Sequence, residues 1–402
     1  MLMKIDGGIT APAGFTAAGV KAGIKKSGKE DVAIIYSSVP AAVAAVFTAN
    51  KIVAAPVIVS RRVVDKGRAC AIVVNSGCAN SCTGQQGLID AQSMAHMTAS
   101  ALNIKDCEVV VASTGVIGMS LPMGKLAEGI KKAAANLSVD GHQAALEAIM
   151  TTDTFPKSSA YRFTLGGVPV KIAGIAKGAG MIHPNMATML SFLTTDAAIS
   201  PAILKQALKQ AVEVSFNAIT IDGDTSTNDT VCVLANGQAG NAPIDSGQGE
   251  DYQAFVDALT ATCTDLAKLV VRDGEGATKF LEITVKGAVS LGDAKTAAMA
   301  VAKSPLVKTA FFGQDPNWGR IICAIGYSGA QVVTDKTSLT IGGITTVRGG
   351  QGCEVDAPSL KAAMAAKDIA VTVDLGLGPA AATVWTCDFS YDYVKINAEY
   401  TT

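Results

Sequence analysis

The sequence contains little histidine, few aromatic residues and no excess charge of either sign. Its 402 residues include 3 histidines, the aromatic share is 5%, and 33 Lys and Arg stand against 34 Asp and Glu, which gives a net charge of -1. No long basic run is interleaved with aromatic side chains, so nucleic acid is not an expected partner. The length suits one large α/β domain or two ordinary ones.

Signals for export and for membrane insertion are missing as well. The N-terminal segment MLMKIDGGIT has no apolar stretch of the kind that secretion needs, and no uninterrupted apolar run reaches the length of a membrane span. The 9 cysteines are scattered, and those in TVCVLANG and RIICAIG resemble reduced core thiols. Cys78 and Cys82 lack a second ligand pair nearby, so we expect no metal. These features predict a cytoplasmic enzyme that contacts no membrane.

Short strand-like runs and helical stretches recur along the whole chain. GLIDAQSMAHMTASALN has the apolar spacing of a helix, and AYRFTLGGVPVKIAGIA predicts a hairpin that turns at Gly166–Gly167. Ser200 and Pro201 predict the start of another helix, and GQAGNAPIDSGQGEDY predicts one long loop. Because regular βαβ alternation is absent, we expect an α/β protein built from layers of helices and sheets.

The mid-chain stretch KGAGMIHPNMATML predicts a site at which the chain cuts itself. A turn at Pro-Asn precedes Ala187 and Thr188, and a hydroxyl at the start of a strand can attack the carbonyl group before it. Cleavage would leave Thr188 with a free α-amine, whose reference pKa of about 7.7–8.0 lets one residue supply both nucleophile and base. The alternative is an ordinary strand threonine, since threonine favours strands. His183 is interpreted as a turn residue rather than a catalyst.

Two further segments could serve such a nucleophile. VVVASTGVIG ends a predicted strand at Thr114-Gly115, where backbone N–H groups can turn towards an oxyanion, although an ordinary strand-end turn is equally consistent with the spacing. Lys177 lies among apolar residues, so it is either a solvated surface charge or the partner of an anionic substrate group. The glycines around Lys177 lack the spacing of a phosphate-binding loop. The alternating Thr188, Leu190, Phe192 and Thr194 predict a half-buried strand.

The chain resembles the ornithine acetyltransferases, also called glutamate N-acetyltransferases. KGAGMIHPNMATML is similar to the cleavage and nucleophile signature of that family, and other blocks follow in family order across the chain. These blocks are ITAPAGFTAAGVKAGIKK, VNSGCANSCTG, ASTGVIG, TTDTFPK, IDGDTSTNDT, RDGEGATKF, FFGQDPNWGRI and INAEYTT. The fold that the resemblance implies is an α-β-β-α sandwich like that of the N-terminal-nucleophile enzymes.

The resemblance implies cleavage after Ala187 into an α chain, residues 1–187, and a β chain, residues 188–402, which together form one intertwined catalytic unit. It implies that Thr188 is the nucleophile and that Thr114 and Gly115 form the oxyanion hole. The implied substrate-binding residues are Thr154, Lys177, Thr188, Glu275, Asn397 and Thr402.

The implied reaction transfers an acetyl group from N2-acetyl-L-ornithine to L-glutamate in arginine biosynthesis, by a ping-pong route through an acetyl-threonine. No metal or cofactor is implied, acetyl-CoA stays open as an alternative donor, and the implied assembly is α2β2. Two other functions are compatible with the residues. One is a self-processed threonine amidohydrolase or aminopeptidase, and the other is a non-catalytic small-molecule binding protein.

Overall fold

The computed structural model describes residues 2–183 and 189–399. Its helices are α1 (Ala55–Val64), α2 (Gly84–Leu102), α3 (Met123–Ala135), α4 (His142–Ile149), α5 (Pro201–Glu213), α6 (Glu250–Arg272), α7 (Leu291–Lys303), α8 (Pro305–Phe312), α9 (Trp318–Gly326), α10 (Ala357–Ala365) and α11 (Tyr391–Glu399). Its strands are β1 (Met3–Lys4), β2 (Phe15–Val20), β3 (Val32–Phe47), β4 (Arg68–Cys78), β5 (Val109–Val116), β6 (Lys157–Leu165), β7 (Val168–Lys177), β8 (Leu190–Thr195), β9 (Thr230–Ala235), β10 (Phe280–Ala288), β11 (Ser338–Ile341), β12 (Ile344–Arg348), β13 (Gln351–Gly352), β14 (Asp368–Asp374) and β15 (Ala380–Cys387).

The strands form a large and a small sheet. The large sheet has the order β1-β6-β7-β8-β9-β3-β4-β5, and β2 also pairs with β3. The small sheet has the order β13-β12-β11-β14-β10-β15. Strands from both sides of the predicted cleavage site share the large sheet, because β8 and β9 lie between β7 and β3.

The large sheet folds back on itself at β3. The pairing of β3 with β4 changes register between Tyr36 and Ala41, around Pro40, which has no N–H group to donate to a ladder. Beyond this bend β3 pairs with β9 instead of β2. One apolar core contains Phe15 of β2 together with Phe192 of β8, so it lies between the two halves of the folded sheet.

Helices cover the outer faces of this folded sheet. One outer core joins β3, β4 and β5 to helices α1, α2 and α3, and another joins β6 to β9 to helices α5 and α6. Side chains alternate between cores as the period of a strand requires, since Ile34 faces helices and Ile35 faces the other sheet layer. The resulting helix–sheet–sheet–helix layers confirm the predicted α/β sandwich.

Most local predictions agree with the structure. The helix α2 and the β6–β7 hairpin form as expected, and both Gly166 and Gly167 take positive φ angles, 52° and 84°, at its turn. Helix α5 begins with Ser200 as N-cap and Pro201 in its first turn, although the Ser200 side chain makes no capping hydrogen bond. The predicted loop, residues 237–252, is a loop with one isolated bridge at Ile244 as far as Gly249, but its last three residues form the start of α6.

Two predictions about burial are wrong. The strand β8 is buried on both faces rather than half-buried, because it lies inside the large sheet with a core on each side. Cys323 is exposed, although its run RIICAIG is apolar. Helix α9 buries Ile321, Ala324 and Ile325, and a residue two positions after Ile321 points to the opposite side of a helix.

Candidate active site

The structure describes six of the predicted site residues. Ala187 and Thr188 belong to residues 184–188 and Thr402 to residues 400–402, which lie outside the described part. The six described residues are Thr114, Gly115, Thr154, Lys177, Glu275 and Asn397. Thr114 and Glu275 are hydrogen-bonded to the segment 177–180, which ends β7 and leads towards the predicted cleavage site, and Asn397 is hydrogen-bonded to Glu275.

The predicted oxyanion pair lies at the end of β5. The parallel strands β4 and β5 come so close there that a Cβ on Gly115 would lie 2.4 Å from the carbonyl carbon of Gly77. Gly115 also has a φ of 129°, which side-chain-bearing residues rarely adopt. The ladder is irregular at this point, since Cys78 pairs with both Thr114 and Val116. Such bulges turn backbone groups out of the ladder, as a donor site for a ligand requires.

Lys177 connects the end of β7 to the end of β5. Its Nζ donates a hydrogen bond to Oγ1 of Thr114 over 3.2 Å, so the predicted substrate lysine and the predicted oxyanion threonine are in contact. Burial lowers the pKa of Lys177, and nearby Lys157 lowers it further, while Asp153 is the strongest of the carboxylates that oppose this shift. The ammonium group is therefore poorly solvated and suited to bind an anion.

A buried network of two acids and one lysine supports Lys177. Lys157 forms ion pairs with Asp153, at 2.6 Å, and with Asp273, and all three side chains are buried. Asp153 also accepts a hydrogen bond from the N–H of Gly178 at 2.7 Å. Burial acts to raise the pKa of Asp153, but Lys157 and Lys177 outweigh it and bring that pKa down to about 2. The network fixes the backbone directly after Lys177, and the sequence alone did not reveal either acid.

Thr154 is held by the same network. Its N–H donates to both carboxylate oxygens of Asp273, at 3.2 and 3.0 Å, and its hydroxyl donates to Oδ1. The hydroxyl proton is therefore engaged, and a substrate would meet Thr154 as a hydrogen-bond acceptor.

Glu275 and Asn397 lie together next to Ala179 and Gly180 of the segment 177–180. The N–H of Glu275 donates to the carbonyl of Ala179 at 2.8 Å, and Asn397 donates to Oε2 of Glu275 at 2.8 Å. The carboxylate packs so tightly on Gly180 that a Cβ there would lie 2.5 Å from it. The hydrogen bond from Asn397 to Glu275 thus holds helix α11 against the site. A binding role for Asn397 requires that this helix be held in place.

The segment 222–230, which the sequence marks only as part of a family block, is hydrogen-bonded to described residues on both sides of the predicted cleavage site. Asp222 accepts hydrogen bonds from the N–H groups of Met181, at 2.6 Å, and Ile182, at 2.9 Å. After the undescribed residues, the carbonyl of Met189 accepts a hydrogen bond from the N–H of Thr230 at 2.9 Å. The only sequence signal was the density of short polar side chains in IDGDTSTNDT.

Asn228 links this segment to the predicted oxyanion pair. Its Nδ2 donates to the carbonyl of Ser113 at 2.9 Å and to that of Ala79 at 2.6 Å. The end of β5, the end of β7 and the start of β8 are therefore held in one arrangement. Such an arrangement can present an oxyanion site, a partly buried cation and a carboxylate around a reacting carbonyl group.

The described part of the chain shows neither a cluster of metal ligands nor a membrane-spanning helix. Within residues 2–183 and 189–399, no three His, Cys, Asp or Glu side chains are grouped as metal ligands would be. Among the helices given above, none combines the length and the apolar character of a membrane span.

The ArgJ family matches residues 16–402. The chain belongs to this family. The arginine biosynthesis bifunctional protein ArgJ of Symbiobacterium thermophilum is 53% identical over 400 residues, which are 99% of each chain. The ArgJ of Geobacter sulfurreducens is 53% identical over 390 residues, which are 97% of this chain and 99% of that one.

A solved structure of an ArgJ family member is also similar. A chain from the crystal structure of the arginine biosynthesis bifunctional protein argJ of Bacillus halodurans is 44% identical with a TM-score of 0.51, and the match covers 52% of this chain and 98% of that one. These likenesses confirm the predicted family and the predicted class of enzyme, an acyltransferase.

Proposed function

We propose that this chain moves the acetyl group from N2-acetyl-L-ornithine to L-glutamate through an acetyl ester on Thr188, in arginine biosynthesis. The observation that carries the proposal is the hydrogen bond from Lys177 to Thr114. It joins the strand that leads to Thr188 with the strand that ends in the oxyanion pair. A nucleophile, a cation and oxyanion donors are the groups that acyl transfer needs.

The active form would consist of two chains, residues 1–187 and 188–402, made by self-cleavage between Ala187 and Thr188. Anchoring of both described flanks by the segment 222–230 supports this, since a chain that cuts itself must hold the attacked bond in place. The match to the Bacillus halodurans chain also fits, because nearly all of that chain covers about half of this one. After cleavage the new α-amine would serve as the base for the Thr188 hydroxyl.

The reaction would proceed in two half-reactions. The hydroxyl of Thr188 attacks the acetyl carbonyl, the α-amine takes its proton, and Thr114 with Gly115 stabilises the oxyanion until ornithine leaves. The amine of glutamate then attacks the acetyl ester and leaves as N-acetylglutamate. Water must be kept from the ester between the two steps, because hydrolysis would waste the acetyl group.

Substrate recognition follows from the charges of the site. Lys177 would bind a substrate carboxylate, and Glu275 would bind the ammonium group of the ornithine side chain. Asn397 holds the carboxylate of Glu275 ready for this contact. Thr154 would offer its oxygen as an acceptor, and Thr402 would complete the site from the C-terminus. Acetyl-CoA stays an alternative acetyl donor, and we propose an α2β2 assembly.

Trapping the acetyl-enzyme tests the proposal. The protein is mixed with N2-acetyl-L-ornithine without glutamate, denatured in acid and digested, and the peptides are analysed by mass spectrometry. We expect one acetyl group on Thr188, which added glutamate removes as N-acetylglutamate. The control is Ser191→Ala, which removes a different hydroxyl group. Ser191 lies in β8, and its hydroxyl donates to the carbonyl of Ile175. This variant should still carry the acetyl group on Thr188.

The outcomes separate the candidate functions. An acetyl group that water removes as fast as glutamate does would indicate an amidohydrolase. Ligand binding with no acetyl-enzyme and no turnover would indicate a binding protein. Either result would contradict the proposed transferase.

A further inference from the structure

A buried carboxyl group beside the candidate site has no role in the reaction proposed above. Asp229 directly precedes β9, and only 2% of the residue is exposed. Within the described residues, its Oδ2 has no hydrogen-bond partner. Buried polar atoms nearly always have a partner, and a buried ionised acid is costly. Such a group needs an explanation.

The surroundings of Asp229 favour its neutral form. Burial raises the pKa of Asp229 well above its ordinary value, and hydrogen bonds with Ser226 and Thr48 oppose this without cancelling it. Lys177, at the end of β7, is the charged side chain that acts on Asp229, and it also lowers this pKa without cancelling the effect of burial. The carboxyl group therefore keeps its proton at pH values at which an exposed aspartate is ionised.

Asp229 lies where the described chain resumes after the predicted cleavage site. The strands β8 and β9 are parallel, with Leu190 paired to Thr230, and the N–H of Thr230 donates to the carbonyl of Met189. Asp229 and Met189 each stand one residue before that pair. Met189 directly follows Thr188 in the sequence.

Self-cleavage needs an acid as well as a nucleophile. When the Thr188 hydroxyl attacks the carbonyl of Ala187, the leaving group is the amide nitrogen of residue 188, which departs readily only with a proton. We propose that Asp229 supplies this proton, an inference that rests on the self-cleavage proposed above.

The step balances without any other reactant. Oγ of Thr188 bonds to the carbonyl carbon of Ala187, the carbon–nitrogen bond breaks, and its electron pair stays on the nitrogen, which takes the proton of Asp229. The hydroxyl proton of Thr188 passes to the resulting carboxylate and restores the acid. Water then hydrolyses the ester, which yields the carboxylate of Ala187 and the free hydroxyl of Thr188.

The first test is the rate of processing in Asp229→Asn. The full chain is synthesised in a cell-free system, and the intact chain and its two fragments are followed over time by gel electrophoresis. Asparagine has nearly the same shape but no proton of comparable acidity, so we expect processing to slow by about 10²–10⁴-fold. Asp224→Asn is the matched control, because it makes the same change at an exposed position of the same segment. Asp229→Glu keeps the acid and should recover part of the rate.

The second test separates this role from a structural one. Asp229→Asn is compared with the parent in a Thr188→Ala background, so that neither chain is processed. A raised folded-state pKa costs stability as pH rises above the unfolded value of about 3.9, and asparagine has no such cost. The Tm of the Asn variant relative to its parent should therefore rise as the pH increases above about 3.9.

Slow processing together with this relative gain in Tm would support the inference. Slow processing together with a Tm that falls equally at every pH would overturn it, because Asp229 would then be needed only for the fold. Processing at the wild-type rate in Asp229→Asn would also overturn it and leave self-cleavage standing. A wild-type chain that never cleaves would overturn both.

Discussion

Gly180→Ala should weaken recognition of the ornithine ammonium group without unfolding the protein. The added Cβ would lie 2.5 Å from the carboxylate of Glu275, where ordinary contacts are 3.4–4 Å, so that carboxylate must move by about 1 Å. Because the end of a flexible side chain moves at little cost, the fold should tolerate the change. The displaced carboxylate would lose a charged hydrogen bond worth about 1.5–3 kcal/mol, which corresponds to a 10- to 100-fold weaker interaction.

Steady-state kinetics measures this effect. We expect KM for N2-acetyl-L-ornithine to rise about 10- to 100-fold, with the Tm within about 2 °C of wild type. The control is Gly124→Ala in α3, where an added Cβ meets nothing within 4 Å, and it should leave KM unchanged. An unaltered KM in Gly180→Ala would refute the placement of the substrate ammonium beside Glu275.

Three further changes test other parts of the site. Lys177→Met should raise KM for both amino-acid substrates about 30-fold or more in initial-rate assays, because the substrate carboxylate would lose the cation proposed to bind it. The folded-state pKa of Asp153, about 2, lies below the unfolded value of about 3.9, so its stabilisation is complete above that value and is lost as pH falls towards 2. The variant Asp153→Asn leaves Lys157 with one buried acid. Calorimetry should therefore show that the difference in Tm between wild type and this variant shrinks as the pH falls from about 3.9 towards 2. Gly115→Ala should lower kcat about 10²-fold, since its Cβ would press on Gly77 and misplace the oxyanion donors.

Features that depend on neighbours along the chain could be predicted from the sequence. The β6–β7 hairpin needs only two glycines that accept positive φ, and α2 needs only a regular apolar face. The pairing of β3 with β9 could not be predicted, because it joins residues almost two hundred positions apart and depends on the bend at Pro40. The complete burial of β8 follows from its central place in the sheet, which its own residues do not reveal.

Some residues of the candidate site could be predicted from the sequence, and others could not. The family resemblance predicted Thr114, Lys177, Glu275 and Asn397, and the structure brings Lys177 to Thr114 and Asn397 to Glu275. The supporting acids were missed. Asp273 lies 119 positions from Thr154, which it binds, and no local pattern marks such a partner.

The most direct test of the account is intact mass spectrometry of the purified, denatured protein, with N-terminal sequencing of each species. The account predicts two chains that correspond to residues 1–187 and 188–402, the second beginning with Thr188. A single stable chain of 402 residues that still transfers acetyl groups would contradict it, because Thr188 would then have no α-amine to act as its base.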